Sequence, residues 1–221
     1  MPYSVSASDI KEYTIYSDEL EFIRIDIESN FFLFSKIIDK IYSELKEDYF
    51  KIKEEFEADL KGTDEKYKIS IYQMYSEELH EREKLIPHFM FKSLFLSIYN
   101  YYESILFIDF IEKVLKFQKS KAHAFKWNDF ISVLKNKKIE PGITDAFDFY
   151  RQLRNSFVHR NGYITSSELK KKVEGNANLM LKEKYCSIKK AQFIKDVLSF
   201  MNRFTEALLL ETERKVFGKK D

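Results

Sequence analysis

The chain has 221 residues, 44% of them hydrophobic and 33% charged, with a formal net charge of +1. This balance excludes a disordered chain, and it excludes polyanion binding by bulk charge; nucleic-acid contact would need a local basic patch. Five glycines and three prolines supply few turns, which argues against an all-β fold and for long helices.

Residues 1–16 are polar and lack periodicity, so a loose arm is expected there. Ser17-Asp18-Glu19 reads as a capping serine followed by acids in a first helical turn. From there to about Leu60, Leu20, Ile23, Ile27, Phe31, Phe34, Ile38, Ile41 and Leu45 recur every three or four residues, the spacing of a helix. Ile23, Ile25 and Ile27 also alternate, so a short strand competes at that point. Gly62-Thr63-Asp64 is a breaker, and residues 69–85 read as a second helix. Pro87 sets a boundary, because it cannot donate to the preceding turn.

A dense helix is expected over 88–118. Phe91, Leu94, Phe95, Ile98, Tyr102, Ile105, Ile108, Ile111 and Leu115 lie on one broad face, with Tyr99, Phe107 and Phe110 largely off it. A helix apolar on most sides must be covered on most sides, by its own domain or by a partner subunit. Lys92, Asn100, Glu103, Asp109 and Glu112 interrupt the apolar run, so it reads as a buried helix and not as a membrane span. A loop is expected over 120–127, a helix over 128–137, a turn at Pro141-Gly142 and a helix over 144–159 ended by Asn161-Gly162. Residues 163–188 read as a short helix plus an irregular or extended piece around Leu181 to Ile188. A helix over 190–215 turns Ile194, Val197, Leu198, Met201 and Leu208 inward. The fold class is all-α, and the organisation is an N-terminal helical extension over 1–86 followed by a helical core over 87–221. One cysteine, Cys186, cannot form an internal disulfide, and no charged-then-apolar leader opens the chain. Both point to the cytoplasm.

Chemistry concentrates in Arg151-Gln-Leu-Arg-Asn-Ser-Phe-Val-His-Arg160. The chain has only seven arginines, and three of them, Arg151, Arg154 and Arg160, surround His159, one of four histidines. Arginine grips phosphate with a planar fork that keeps its charge, and histidine is the side chain suited to proton transfer near neutrality. His80, His88 and His123 show no ligand spacing, so a metal site is not expected; no cofactor is expected either.

Arg154-Asn155-Ser156-Phe157-Val158-His159 resembles the signature of HEPN domains, in which an arginine and a polar residue precede a histidine on a late helix of an up-down bundle. The resemblance covers roughly residues 87–215. Arg82 to His88 has the same loose spacing, but Glu83 follows that arginine and Pro87 is expected to break the helix between the pair. The resemblance implies metal-independent endoribonuclease chemistry on RNA. Arg154 would hold the scissile phosphate, His159 would serve as general base or acid, and Asn155 would orient His159 or donate to phosphate. Glu103 resembles an acidic position on the early core helix and would tune His159. Apart from the resemblance, Arg151 and Arg160 and the lysine runs at 135–138 and 169–172 offer a rim that would track the RNA backbone, or equally a solvated, ion-paired surface. Residues five apart on a helix differ in direction by about 140°. Arg154 and His159 therefore converge only if the helix end distorts or if two copies meet, and the family's solution is a homodimer with a composite cleft. A toxin, defence or stress-response role, with an antitoxin or regulatory protein as partner, is implied in the same way. Some family toxins carry a modified tyrosine two residues after the histidine; Asn161 stands there, and the nearest tyrosine is Tyr163.

Other readings stay open. Basic residues in a last helical turn also stabilise the helix dipole. A catalytically silent module that binds RNA or nucleotides, and an interaction protein whose helices dock a partner, both fit the same residues.

Overall fold

The computed structural model describes the backbone of residues 7–115, 127–139 and 144–217. The chain is all-α, with one small antiparallel hairpin among the described residues. Helix α1 runs Ala7–Gly62, a 3-10 turn covers Glu65–Tyr67, and α2 follows at Lys68–His80. A π-helical turn, Glu81–Leu85, leads directly into α3 at Ile86–Ser104, and a second π-helical stretch continues over Ile105–Val114. Then come α4 (Trp127–Asn136), α5 (Thr144–Arg160), α6 (Ser167–Glu174), strands β1 (Leu179–Lys182) and β2 (Tyr185–Ile188), and α7 (Ala191–Phe217). The expected loop at 120–127, apart from Trp127, and the turn at Pro141-Gly142 fall outside the described residues.

Several expectations are corrected. Residues 7–16, expected as a loose arm, belong to α1. The strand alternative at Ile23–Ile27 fails because burial follows the helical period: Ile23 and Ile27 are buried, whereas Ile25 between them is 54% exposed. Pro87 is no boundary. The helix widens into the π turn just before it, and the Ile86 N–H bonds to the Glu81 carbonyl. An α-helical proline ring would strike the carbonyl four residues back, here that of Glu83, and widening relieves that clash. The second π stretch shifts the phase of the core helix. Ile105, Leu106, Phe110, Ile111, Val114 and Leu115 are buried, spaced by five and by four, and Ile108, expected inward, is 49% exposed. Tyr99 and Phe110, expected off the apolar face, are fully buried.

The described residues pack into two compact units, and both draw on chain from either side of residue 86. One comprises described parts of Met1–Leu33, Ile98–Asp148 and Leu198–Asp221. Its core is aromatic. Trp127 stacks flat on Phe147 at 4.4 Å, and Phe147 meets Phe204 at 5.0 Å and Tyr99 at 5.7 Å. The Tyr101 hydroxyl donates to Asp26 Oδ2 at 2.7 Å, and burial together with that carboxylate raises the phenol's pKa far above its ordinary value. Arg24 bridges to Glu213 at 3.0 Å.

The second unit gathers Phe34–Ser97 and Phe149–Val197. Its core joins Phe91, Leu94 and Phe95 of α3, Leu153 and Phe157 of α5, and Phe193, Ile194 and Val197 of α7. Phe95 contacts the rings of Phe157 at 5.9 Å and Phe193 at 5.7 Å. The far part of α1 and α2 form an antiparallel helical hairpin. Phe56 meets Tyr72 and Tyr75, the Tyr75 hydroxyl donates to Asp59, and Arg82 pairs with Asp48 at 3.1 Å. No residue from Asp39 to Met90 is buried. The helical stretch Glu65–Val114 contains a window apolar enough to cross a membrane by length and composition, half of it buried within the fold.

Candidate functional site at the end of α5

All of the site described here lies in the second unit. Helix α5 ends where Asn161 and Gly162 turn into the left-handed region, at φ 49° and 87°. Gly162 suits this position on two counts. Its φ is one that side-chain-bearing residues rarely adopt, and an added Cβ would stand 2.7 Å from the Cys186 carbonyl oxygen and 3.3 Å from the Phe157 ring. The hairpin docks on this turn: the Cys186 N–H donates to the Gly162 carbonyl at 2.9 Å, and the Ile164 N–H donates to the Lys184 carbonyl at 2.8 Å. Burial pushes the Cys186 thiol pKa up to about 12, so the sulfur is an inert core group.

From α3, the Lys92 ammonium donates to Asn161 Oδ1 at 2.9 Å. One turn earlier on α3, half-buried His88 accepts the Ile188 N–H at Nδ1, 3.2 Å away. Desolvation, with Lys92 adding to it, lowers the His88 pKa. The rival motif copy at Arg82 to His88 is therefore taken up by structure, since Arg82 is held by Asp48 and by Glu78 at 3.7 Å. Of the two features that set this copy apart in sequence, the acidic Glu83 after the arginine stands, whereas the helix is not broken at Pro87.

Beyond Gly162 the chain runs through Thr165 to Ser166, whose side chain caps α6 by accepting the Leu169 N–H at 3.2 Å. The end of α5, this connection and the start of α6 enclose an open cleft of about 420 Å³. Gln152, Asn155, His159, Arg160, Tyr163 and Thr165 are among its lining residues. Gln152, Asn155 and His159 follow the i, i+3, i+7 stripe of one helix face. His159 and Arg160 are exposed, and the Arg160 guanidinium donates to Thr165 Oγ1 at 2.7 Å. The Ser156 hydroxyl is turned back to the Leu153 carbonyl at 2.7 Å and is occupied within the helix.

Arg154 does not line the cleft. It is half-buried and donates to Asn155 Oδ1 at 3.2 Å, which ties it to one of the lining amides. Arg151, also half-buried, is likewise absent from the lining. Glu103 is half-buried on α3 within the other unit and does not line the cleft either. Of the nearby lysine run, Lys170 and Lys172 pair with Glu174 and Glu168 along α6. Among the described residues no group of three or more His, Cys, Asp or Glu side chains is placed to hold a metal ion.

Sequence reasoning missed Gln152, Tyr163 and Thr165. Gln152 was legible in principle from its spacing to Asn155 and His159. Tyr163 and Thr165 reach the cleft only because the chain reverses at Gly162. Comparison of the chain with family models, with curated proteins and with solved structures finds no match.

Proposed function

We propose that this chain is a HEPN-type, metal-independent endoribonuclease. The observation that carries the reading is the joint presence of Asn155, His159 and Arg160 along one open cleft, with Arg154 tied to Asn155. In the proposed reaction the ribose 2′-oxygen attacks the adjacent phosphorus and the 5′-oxygen leaves. His159 takes the 2′-hydroxyl proton or supplies one to the leaving oxygen. Arginine stabilises the extra negative charge on the phosphoryl oxygens. The products are a 2′,3′-cyclic phosphate and a 5′-hydroxyl, and DNA, lacking the 2′-hydroxyl, is not cut.

Arg154 and His159 of one chain do not share a cleft lining, which supports a homodimer in which a second copy completes each site. A toxin, defence or stress-response role in the cytoplasm, under control of an antitoxin or regulatory protein, accompanies this reading. The engagement of Arg154 by Asn155 also favours a second reading, a catalytically silent HEPN-type module that binds RNA.

An end-labelled mixed RNA pool, incubated in EDTA with wild type and with His159→Ala, separates the two. Cleavage by wild type with cyclic-phosphate ends, reduced about 10²–10⁴-fold in His159→Ala, supports the enzyme. His159 is exposed, so the melting temperature of that variant should hardly move. Salt-dependent RNA binding without cleavage by either protein supports the silent module.

A further inference from the structure

A second cleft in the same unit, of about 400 Å³, lies between α1, the π turn before α3 and the start of α7. Its lining brings together lysines from different parts of the chain: Lys46 of α1, and Lys189 and Lys190 immediately before α7. Among the described residues none of these three has a carboxylate within ion-pair distance, whereas the other two lining cations are engaged, Arg82 with Asp48 and Lys195 with Asp39. The one lining carboxylate, Glu83, pairs with Lys84 at 3.7 Å. Lys46 also lies 5.7 Å over the Phe50 ring. Five lining cations against one carboxylate leave the concavity positively charged, and an anion there would relieve the repulsion among them.

The helix end adds to the same field. A helix start carries positive potential and unpaired N–H groups, usually offset by a capping oxygen or an early acid. Helix α7, 27 residues long, has no acid in its first turn and is preceded by two lysines. Its first residues, Ala191 and Gln192, line the cleft. Two tyrosines of α1, Tyr42 and Tyr49, complete the wall, and Tyr42 is 48% exposed. A tyrosine face accepts a heterocyclic base by stacking.

We propose that this cleft binds a nucleotide, with its phosphates on Lys46, Lys189 and Lys190 at the start of α7 and its base against the tyrosines of α1. A volume of this size suits one mononucleotide. The site is separate from the α5 cleft and does not depend on its reading.

Calorimetric titration of the full chain with the four ribonucleoside triphosphates, sodium triphosphate and adenosine, all without RNA, tests the proposal. At least one nucleotide should bind ten-fold or more tightly than triphosphate, and adenosine weakly. Lys189→Glu/Lys190→Glu, at exposed positions, should weaken the nucleotide at least ten-fold, as should Lys46→Glu. Tyr42→Ala should bring nucleotide affinity down toward that of triphosphate. His159→Ala should bind nucleotide as wild type does, so loss of RNA cleavage and loss of this site are read apart. The proposal is overturned if no nucleotide binds, if triphosphate binds as tightly as the best nucleotide, or if the lysine variants, folded by circular dichroism, bind unchanged.

Discussion

Two residues near the α5 cleft have consequences that can be measured without any activity. Gly162 combines a φ of 87° with a Cβ position blocked by the Cys186 carbonyl oxygen. Gly162→Ala should therefore destabilise the fold by roughly 1–3 kcal/mol. Chemical denaturation reads this directly, and a change within a few tenths of a kcal/mol would mean that the turn relaxes without cost. His88 makes an opposite kind of demand, since it must stay neutral to accept the Ile188 N–H. Its folded pKa is lowered, so below the ordinary histidine value of about 6.5 the unfolded chain takes up the proton more readily than the folded one. Stability attributable to this group is complete above that value and falls as the pH drops through it. The melting temperature should decline between pH 7.5 and pH 5.5, and the decline should be shallower in His88→Gln. Parallel slopes in the two proteins would show that His88 is not the group responsible.

Among the elements, the hairpin of distal α1 and α2 stands apart because it buries nothing from Asp39 to Met90. Its contacts are ring edges and exposed ion pairs, which contribute little each. Local opening needs few buried contacts to break, so amide hydrogens over Lys68–His80 should exchange well before those of α5 and α7. Protection equal to that of α7 would show that something covers the hairpin. How far the elements were legible follows from which period each obeys. The stretches of α1 and α7 keep the 3.6-residue repeat, so Leu20, Ile23, Ile27 and Ile38, and Ile194, Val197, Leu198, Met201 and Leu208, were readable as buried from residue spacing; Phe31 and Phe34 are only half-buried, and Phe193 and Phe204, fully buried, lie outside the positions that spacing picked out. The stretch Ile105–Val114 leaves that repeat, and no local signal marked the change; hence Ile108 was turned inward and Phe110 outward. The hairpin β1–β2 closes on Glu183-Lys184, with Glu183 at φ 58°, where Asn-Gly or Asp-Gly would have announced a tight turn. The candidate site divides in the same way. Asn155, His159 and Arg160 were visible as residue types at a helix end, while the separation of Arg154 from the cleft follows from its direction on the helix, 140° from His159.

At the scale of the whole molecule, the question is whether one chain makes a complete site. The single-chain cleft contains His159 and Asn155 but not Arg154. Helix α1 in addition exposes Phe22 (69%), Ile25 (54%), Phe32 (61%) and Leu33 (52%), which fall within about 100° of one another around the helix. An apolar stripe of that kind is the sort of surface a second copy would cover. If two copies complete each site by exchanging Arg154 and His159, complementation follows from the symmetry. Arg154→Ala and His159→Ala homodimers would each be inactive. A heterodimer of the two would combine one doubly defective site with one intact site. Random re-association of equal amounts makes half of the dimers mixed, so the mixture should recover about one quarter of wild-type cleavage. Co-refolding the two variants and assaying the labelled RNA pool measures this. A mixture as inactive as either variant alone, at concentrations where wild type sediments as a dimer, would rule out the exchange and confine the chemistry to a single chain.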